Sequence, residues 1–121
     1  MLKILVIEDD QFLGNAYNLK LSKAGFEVKV AKDGNEGLTE LSSFVPDIIL
    51  LDLIMPDMDG FAFLEAKKQT VHSDIPVIVA SNLGQKEDFE TAKKLGAVDF
   101  IIKSDVSLEE IIGKINQHLS R

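Results

Sequence analysis

Five short apolar runs alternate with five segments of helical periodicity along this chain, and the alternation constrains the fold more than any other feature. Residues 2–7, 47–51 and 75–80 are nearly continuous in Ile, Val and Leu, which is typical of strands buried on both faces. Residues 26–30 alternate apolar and charged side chains, so we predict a strand at the edge of the sheet. Residues 100–102 form a fifth, shorter candidate strand.

Apolar residues recur at helical spacing between these runs. The five sets are Leu13, Ala16, Tyr17 and Leu21; Leu38, Leu41 and Val45; Phe61 and Leu64; Phe89, Ala92 and Leu95; and Leu108, Ile111, Ile112, Ile115 and Leu119. Gly96 is expected to close the fourth helix, and Ser107 with Glu110 to open the fifth as a capping box. Strict alternation with short connections predicts an α/β fold, a doubly wound parallel sheet of five strands.

Composition narrows the functions that this chain can have. Thirteen basic and twenty acidic residues give a net charge of -7, so we expect no direct binding to nucleic acid. The absence of cysteine excludes disulfides, thiolate metal sites and cysteine nucleophiles. No apolar stretch matches a membrane span or a signal peptide, so we expect a cytoplasmic protein without a membrane partner. His72 is expected at the surface and His118 on the polar side of the last helix, both unaccompanied.

Polar side chains stand where four of the predicted strands end. They are Glu8, Asp9 and Asp10 after the first strand, Asp52 after the third, Ser81 at the end of the fourth and Lys103 after the fifth. Because the carboxyl ends of parallel strands meet at one edge of a sheet, these groups should converge there. Neighbouring carboxylates raise one another's pKa unless a cation accompanies them, and oxygen-only ligands favour Mg²⁺. Mg²⁺ held by one or two carboxylates commonly also binds oxygens of a phosphoryl group, so the pattern indicates phosphoryl chemistry. Asp10 is expected to cap the first helix instead.

These positions, together with the run DLIMPDMDG from Asp52 to Gly60, resemble the receiver domain of bacterial two-component response regulators along the whole chain. The resemblance implies a flavodoxin-like (βα)5 fold with strand order 2-1-3-4-5. It also implies that Asp52 is the phospho-acceptor, taking a phosphoryl group from a phosphohistidine of a sensor kinase or phosphotransfer protein. On this interpretation the chain catalyses only its own phosphorylation and dephosphorylation, and it is otherwise not an enzyme.

The resemblance implies a ligand set for Mg²⁺ as well. Asp9 and Asp52 would bind the ion directly, together with the backbone carbonyl of Ile54. Glu8, a longer side chain than the aspartate more common in the family, would act through a water molecule.

The remaining roles implied by the resemblance concern the phosphoryl group and the output. Lys103 and Ser81 would each contact a phosphoryl oxygen. Ser81 and Phe100 would form the switch that alters the face made by helix four, strand five and helix five, where a downstream protein binds. We therefore expect residues 1–121 to be a single receiver domain, a monomer or weak dimer, with no effector domain after Arg121.

Two positions depart from the family pattern. Asn82 replaces the small residue that usually follows the strand-four hydroxyl, and it is expected to narrow the route to Asp52. Ser104 replaces the proline that usually follows the lysine, so we predict a trans peptide after Lys103, because cis would cost about 3 kcal/mol without proline.

Three other functions fit parts of this sequence. A haloacid-dehalogenase-type phosphatase also uses an Asp nucleophile with Mg²⁺, but its nucleophile ends strand one in an Asp-x-Asp arrangement. A flavodoxin-like or Rossmann nucleotide binder needs a Gly- or Thr-rich phosphate loop after strand one, where this chain carries carboxylates. A degenerate receiver that acts only as an interaction module remains open, because of Asn82.

Overall fold

The computed structural model describes residues 1–55 and 58–119. Pro56 and Asp57 of the DLIMPDMDG run, and Arg121, lie outside the described residues. The strands are β1 (Lys3–Ile7), β2 (Glu27–Ala31), β3 (Ile48–Leu51), β4 (Val77–Ser81) and β5 (Asp99–Ile102). The helices are α1 (Gln11–Lys23), α2 (Gly34–Phe44), α3 (Gly60–Lys68), α4 (Lys86–Lys94) and α5 (Leu108–Leu119), with a 3-10 turn over Lys103–Asp105. Among these elements, no helix has the length and apolar character needed to cross a membrane.

The five strands form one parallel sheet in the order β2-β1-β3-β4-β5. Ile7 at the end of β1 lies beside Ala31 of β2 on one side and Leu51 of β3 on the other. The predicted fold class and strand order are therefore confirmed, including the edge position of β2, where Glu27 and Lys29 are exposed. This register brings the carboxyl ends of β1 and β3 to the same level, because Ile7 and Leu51 immediately precede the acidic residues.

Helices cover both faces of the sheet because alternate strand residues point to opposite sides. Leu5 and Ile7 of β1 belong to the cluster beneath α2, α3 and α4, which includes Leu41, Phe63 and Ala92. Ile4 and Val6 of β1 point to the other face and belong to the second cluster, under α1 and α5. That cluster also includes Tyr17, Leu21, Ile111 and Ile115. These two cores hold the site-bearing strand ends in fixed relative positions.

Side-chain caps begin the helices next to the site, as the sequence indicated. Asp10 accepts a hydrogen bond from the amide of Leu13 at 3.1 Å and caps α1. Ser107 and Glu110 make both bonds of the predicted capping box, at 3.0 and 3.1 Å. Gly96 follows α4 with φ +105°, a left-handed conformation that favours glycine at a helix end.

Two details of the sequence interpretation were wrong. Val45 does not continue the face of α2, because it ends the helix with φ 42° and is 50% exposed. His118 is not unaccompanied, because its Nε2 lies 2.9 Å from Oδ2 of Asp99 at the start of β5. The strand bounds also move by one or two residues; β4 begins at Val77, after Pro76, which has no N–H to donate to the sheet.

Candidate functional site

The acidic residues that end β1 and β3 meet at the carboxyl edge of the sheet, as predicted. Glu8, Asp9 and Asp52 each offer a carboxylate oxygen, and these three atoms lie within 4.8 Å of one another. Glu8 and Asp52 are buried, with 4% and 7% of their surface exposed, whereas Asp9 is exposed. Burying two carboxylates beside a third lowers the stability of the fold unless positive charge is close by.

Lys103 supplies part of that positive charge. It follows β5 at the start of the 3-10 turn, and its Nζ lies 2.8 Å from Oε1 of Glu8 and 3.1 Å from Oδ2 of Asp52. Burial alone would lower the pKa of Lys103, but the hydrogen bond that it donates to Glu8 and the negative charge of Asp52 outweigh burial and raise that pKa. The lysine therefore stays charged in the site.

The carboxyl of Glu8 has a raised pKa because of its surroundings. Its pKa is raised, first because the group is buried and then because Asp52 is negatively charged, while the hydrogen bond from Lys103 opposes the rise. One ammonium faces three carboxylates, so the cluster keeps an excess of negative charge. An all-oxygen donor set with excess negative charge fits a hard divalent cation such as Mg²⁺.

Asp52 uses both carboxylate oxygens in the structure. Its Oδ2 accepts from Lys103, and its Oδ1 accepts a hydrogen bond from the backbone amide of Ile54 at 3.3 Å. These two bonds fix the plane of the carboxylate at the rim of the sheet. The proposed ligand role of the Ile54 carbonyl stays a prediction.

The two predicted switch residues lie in β4 and β5, and the structure gives each of them a defined contact. Ser81 is fully buried, and its Oγ accepts a hydrogen bond from the amide of Leu83 at 3.3 Å. The Phe100 ring, half-buried, packs edge-on against Phe89 of α4 with ring centroids 4.4 Å apart. The hydroxyl thus serves its own loop in this conformation, and the switching roles of both residues stay predictions.

The peptide after Lys103 is trans, as predicted, since none of the described peptide bonds is cis.

One contact was missed by the sequence interpretation. Oδ1 of Asn82 accepts a hydrogen bond from the backbone amide of Ser104 at 2.9 Å. The carboxamide expected to narrow the route to Asp52 is thus hydrogen-bonded to the loop after β5. Sequence gives no signal for this pairing, because 22 residues separate the partners.

Gly60 is a second residue whose importance the sequence interpretation did not identify. At the start of α3, a Cβ at this position would lie 2.5 Å from the carbonyl oxygen of Asp52 and 2.7 Å from Cα of Leu53. Both are backbone atoms, so only a shift of the chain behind Asp52 would make room. The Asp-Gly pair of a turn was the available signal, but it suggested conformational freedom rather than close packing.

We expect Gly60→Ala to lower the free energy of unfolding by about 1–3 kcal/mol, because overpacking displaces the backbone that carries Asp52. Gly113→Ala is the matched control: it lies in α5 with nothing within 4 Å of the added Cβ, so it should be neutral or stabilising. Urea unfolding of the three proteins measures both effects. Equal stability of Gly60→Ala and the parent would contradict the close packing.

Comparison with known proteins agrees with this geometry. The family model for the response regulator receiver domain matches residues 4–116. The chain is 35% identical over 119 residues to "Probable transcriptional regulator ycf27" of Cyanophora paradoxa, covering 98% of this chain and 48% of that protein. It is 37% identical over 123 residues to "Protein-glutamate methylesterase/protein-glutamine glutaminase 3" of Rhodospirillum rubrum, covering 98% and 32%. The fold superposes on chemotaxis protein CheY4 of Vibrio cholerae with a TM-score of 0.91 at 26% identity, covering 97% of this chain and 98% of that one.

The chain spans about half the length of the transcriptional regulator and about a third of the methylesterase. The names of these relatives describe different activities, so the similarity concerns the domain that they share with this chain. The family model matches nearly all of the chain, and the fold and the acidic site with its lysine agree with that match. The chain therefore belongs to the receiver domain family of two-component response regulators.

Proposed function

We propose that Asp52 accepts a phosphoryl group from a phosphohistidine of a sensor kinase or phosphotransfer protein, and that the phosphorylated chain signals by binding another protein. The observation that carries this proposal is the position of the Asp52 carboxylate, which shares the carboxyl edge of the sheet with Glu8, Asp9 and Lys103. The same complete set of charged groups argues against a degenerate receiver.

Receiver domains interact with histidine kinases or phosphotransfer proteins and with downstream targets. In the proposed reaction, a carboxylate oxygen of Asp52 attacks the phosphorus and the P–N bond breaks. The electron pair of that bond stays with the leaving imidazole nitrogen, and the product is an acyl phosphate. Lys103 already contacts Oδ2 of Asp52 at 3.1 Å, so its ammonium is placed to neutralise charge on a phosphoryl oxygen. The chain thus acts on its own aspartate rather than as an enzyme on a separate substrate.

Receiver domains bind Mg²⁺ through acidic residues, and Glu8, Asp9 and Asp52 form such a cluster here. We propose that Asp9 and Asp52 hold the ion with the backbone carbonyl of Ile54, and that Glu8 acts through water. Bound Mg²⁺ would supply positive charge to the phosphoryl oxygens. Glu8 suits the outer role, because its carboxylate is already engaged by Lys103 and by the amide of Asp10 at 3.2 Å.

The proposed output runs through Ser81 and Phe100. Ser81 would exchange its bond from the Leu83 amide for one to a phosphoryl oxygen. Phe100 would then leave its edge-on contact with Phe89 and change the face formed by α4, β5 and α5. We propose that a cytoplasmic protein partner binds this face, and that the receiver works as a monomer or weak dimer.

Beryllofluoride with Mg²⁺ tests this proposal, because it mimics an acyl phosphate without turnover. In ¹H–¹⁵N spectra we expect shifts around Asp52 and, in addition, at residues of α4, β5 and α5 that do not touch the site. Asp52→Asn should show neither set of shifts. A parent spectrum that beryllofluoride with Mg²⁺ leaves unchanged would contradict the proposal.

Mg²⁺ is expected to stabilise the fold, because it relieves repulsion among the three carboxylates and binds only the native state. At a concentration tenfold above its dissociation constant, the gain is about 1.4 kcal/mol. Thermal melts with Mg²⁺ and with EDTA measure it, and Asp9→Asn is the control that should reduce the gain. Identical melting temperatures in Mg²⁺ and EDTA would show that the acidic cluster is not a metal site.

A further inference from the structure

A hydrogen bond joins the loop after β4 to the loop after β5. Asn82 directly follows Ser81, and Ser104 directly follows Lys103. Oδ1 of Asn82 accepts from the backbone N–H of Ser104 at 2.9 Å. Each partner of this bond is therefore the immediate neighbour of one residue that the proposed function assigns to the phosphoryl group.

The bond lies where Lys103 has to be directed toward the acidic residues. The chain leaves β5 at Ile102 and enters the short 3-10 turn over Lys103–Asp105, so the direction of the lysine side chain depends on how this turn is held. Asn82, Lys103 and Ser104 line one groove of about 310 Å³. Both partners of the bond are exposed, so we expect the contact to matter for position more than for stability.

We propose that Asn82 is a positioning residue: by holding the amide of Ser104, it keeps the 3-10 turn in the conformation from which Lys103 reaches Asp52. This inference rests on the proposed function, because it assigns Asn82 a part in that same phosphoryl transfer. A proline at position 104 would have no N–H to donate, so the arrangement depends on both residues present here.

The expected effect on rate follows from the sensitivity of such reactions to geometry. A displacement of about 1 Å can cost roughly a hundredfold in rate. The four-carbon stem of lysine is flexible and recovers part of such a displacement. We therefore expect Asn82→Ala to be phosphorylated roughly tenfold more slowly than the parent at saturating Mg²⁺.

The experiment measures phosphorylation by acetyl phosphate and by phosphoramidate in a set of variants. Asn82→Ala removes the acceptor, Ser104→Pro removes the donor, and Ser104→Ala keeps the backbone N–H and should react at the parent rate. In the Ser104→Pro background, Asn82→Ala should have no further effect, because the bond is already absent. Non-additivity of this kind separates the hydrogen bond from other effects of proline.

Two further readouts distinguish positioning from general damage. Exchange of the Ser104 amide proton should be faster in Asn82→Ala than in the parent, since its acceptor is gone. Calorimetric Mg²⁺ affinity should stay unchanged, because neither residue is among the proposed ligands. Slow phosphorylation with unchanged Mg²⁺ affinity supports the inference, whereas a parallel loss of both would indicate a disturbed fold and overturn it.

A parent-like rate in Asn82→Ala would overturn the inference, and so would a faster one, which would make the carboxamide a shield over Asp52. Additive effects of Asn82→Ala and Ser104→Pro would also overturn it. In each of these cases the parent is phosphorylated and the proposed function stands. A parent protein that takes up no phosphoryl group would instead overturn the proposed function, and the role of Asn82 with it.

Discussion

Asp52→Asn is expected to abolish covalent phosphorylation and to leave a folded protein. The carboxamide has nearly the shape of the carboxylate, so the buried position is filled as before, but its oxygen and nitrogen are too weakly nucleophilic to attack phosphorus. Lys103 keeps Glu8 as a partner at 2.8 Å, so the variant does not leave the half-buried ammonium unpaired.

The measurement is the mass of the variant after incubation with acetyl phosphate and Mg²⁺, next to its thermal melt. Asp10→Asn is a matched control at the same edge of the sheet, because asparagine also caps a helix and phosphorylation should persist. If Asp52→Asn retained a labile phosphoryl group, another residue would have to be the acceptor.

Lys103→Met is expected to have the second-largest effect, on both chemistry and stability. The methionine has a similar length but leaves Glu8 and Asp52 without their ammonium partner, and breaking a buried ion pair in this way costs about 3–5 kcal/mol. Phosphorylation should fall by roughly 100-fold or more, the usual cost of removing a charged stabiliser of this kind. Urea unfolding and phosphorylation rates test the two effects.

The stability deficit of Lys103→Met should depend on pH. The pKa of Glu8 is already raised by burial in the folded protein, and loss of the ammonium would raise it further. A carboxyl whose pKa is raised in the folded state holds its proton more tightly there than in the unfolded chain. Its contribution to stability is therefore full below the unfolded-state pKa of 4.5 and is lost as pH rises through the folded-state pKa. The deficit relative to the parent should therefore grow as pH rises above 4.5, and Mg²⁺ should stabilise the variant more than the parent. A deficit independent of pH would contradict the account of the buried carboxylates.

Much of the fold was predictable because its determinants are local and repeated. Buried parallel strands are apolar along their whole length, and the solvated face of β2 shows as alternation, so the edge strand was recognisable. The meeting of Glu8, Asp9 and Asp52 followed from the polarity of a parallel sheet alone. Caps such as Asp10 are also local, since the side chain and its target amide are three residues apart.

The unpredicted features depend on contacts between distant parts of the chain. His118 was assigned to a polar helix face, but the packing of α5 beside β5 brings it to Asp99. Asn82 and Ser104 were each recognised as departures from the family pattern, yet their hydrogen bond arises only when two loops meet. The close packing of Gly60 against the backbone of Asp52 likewise appears only when α3 is placed.

The most direct test of the central claim is the intact mass of the parent protein after incubation with acetyl phosphate and Mg²⁺, followed by peptide mapping. We predict the addition of one phosphoryl group that is labile at neutral pH, requires Mg²⁺ and maps to the peptide containing Asp52. An unchanged mass with acetyl phosphate, phosphoramidate and beryllofluoride alike, or a phosphoryl group on a peptide without Asp52, would contradict the claim that this aspartate is the phospho-acceptor.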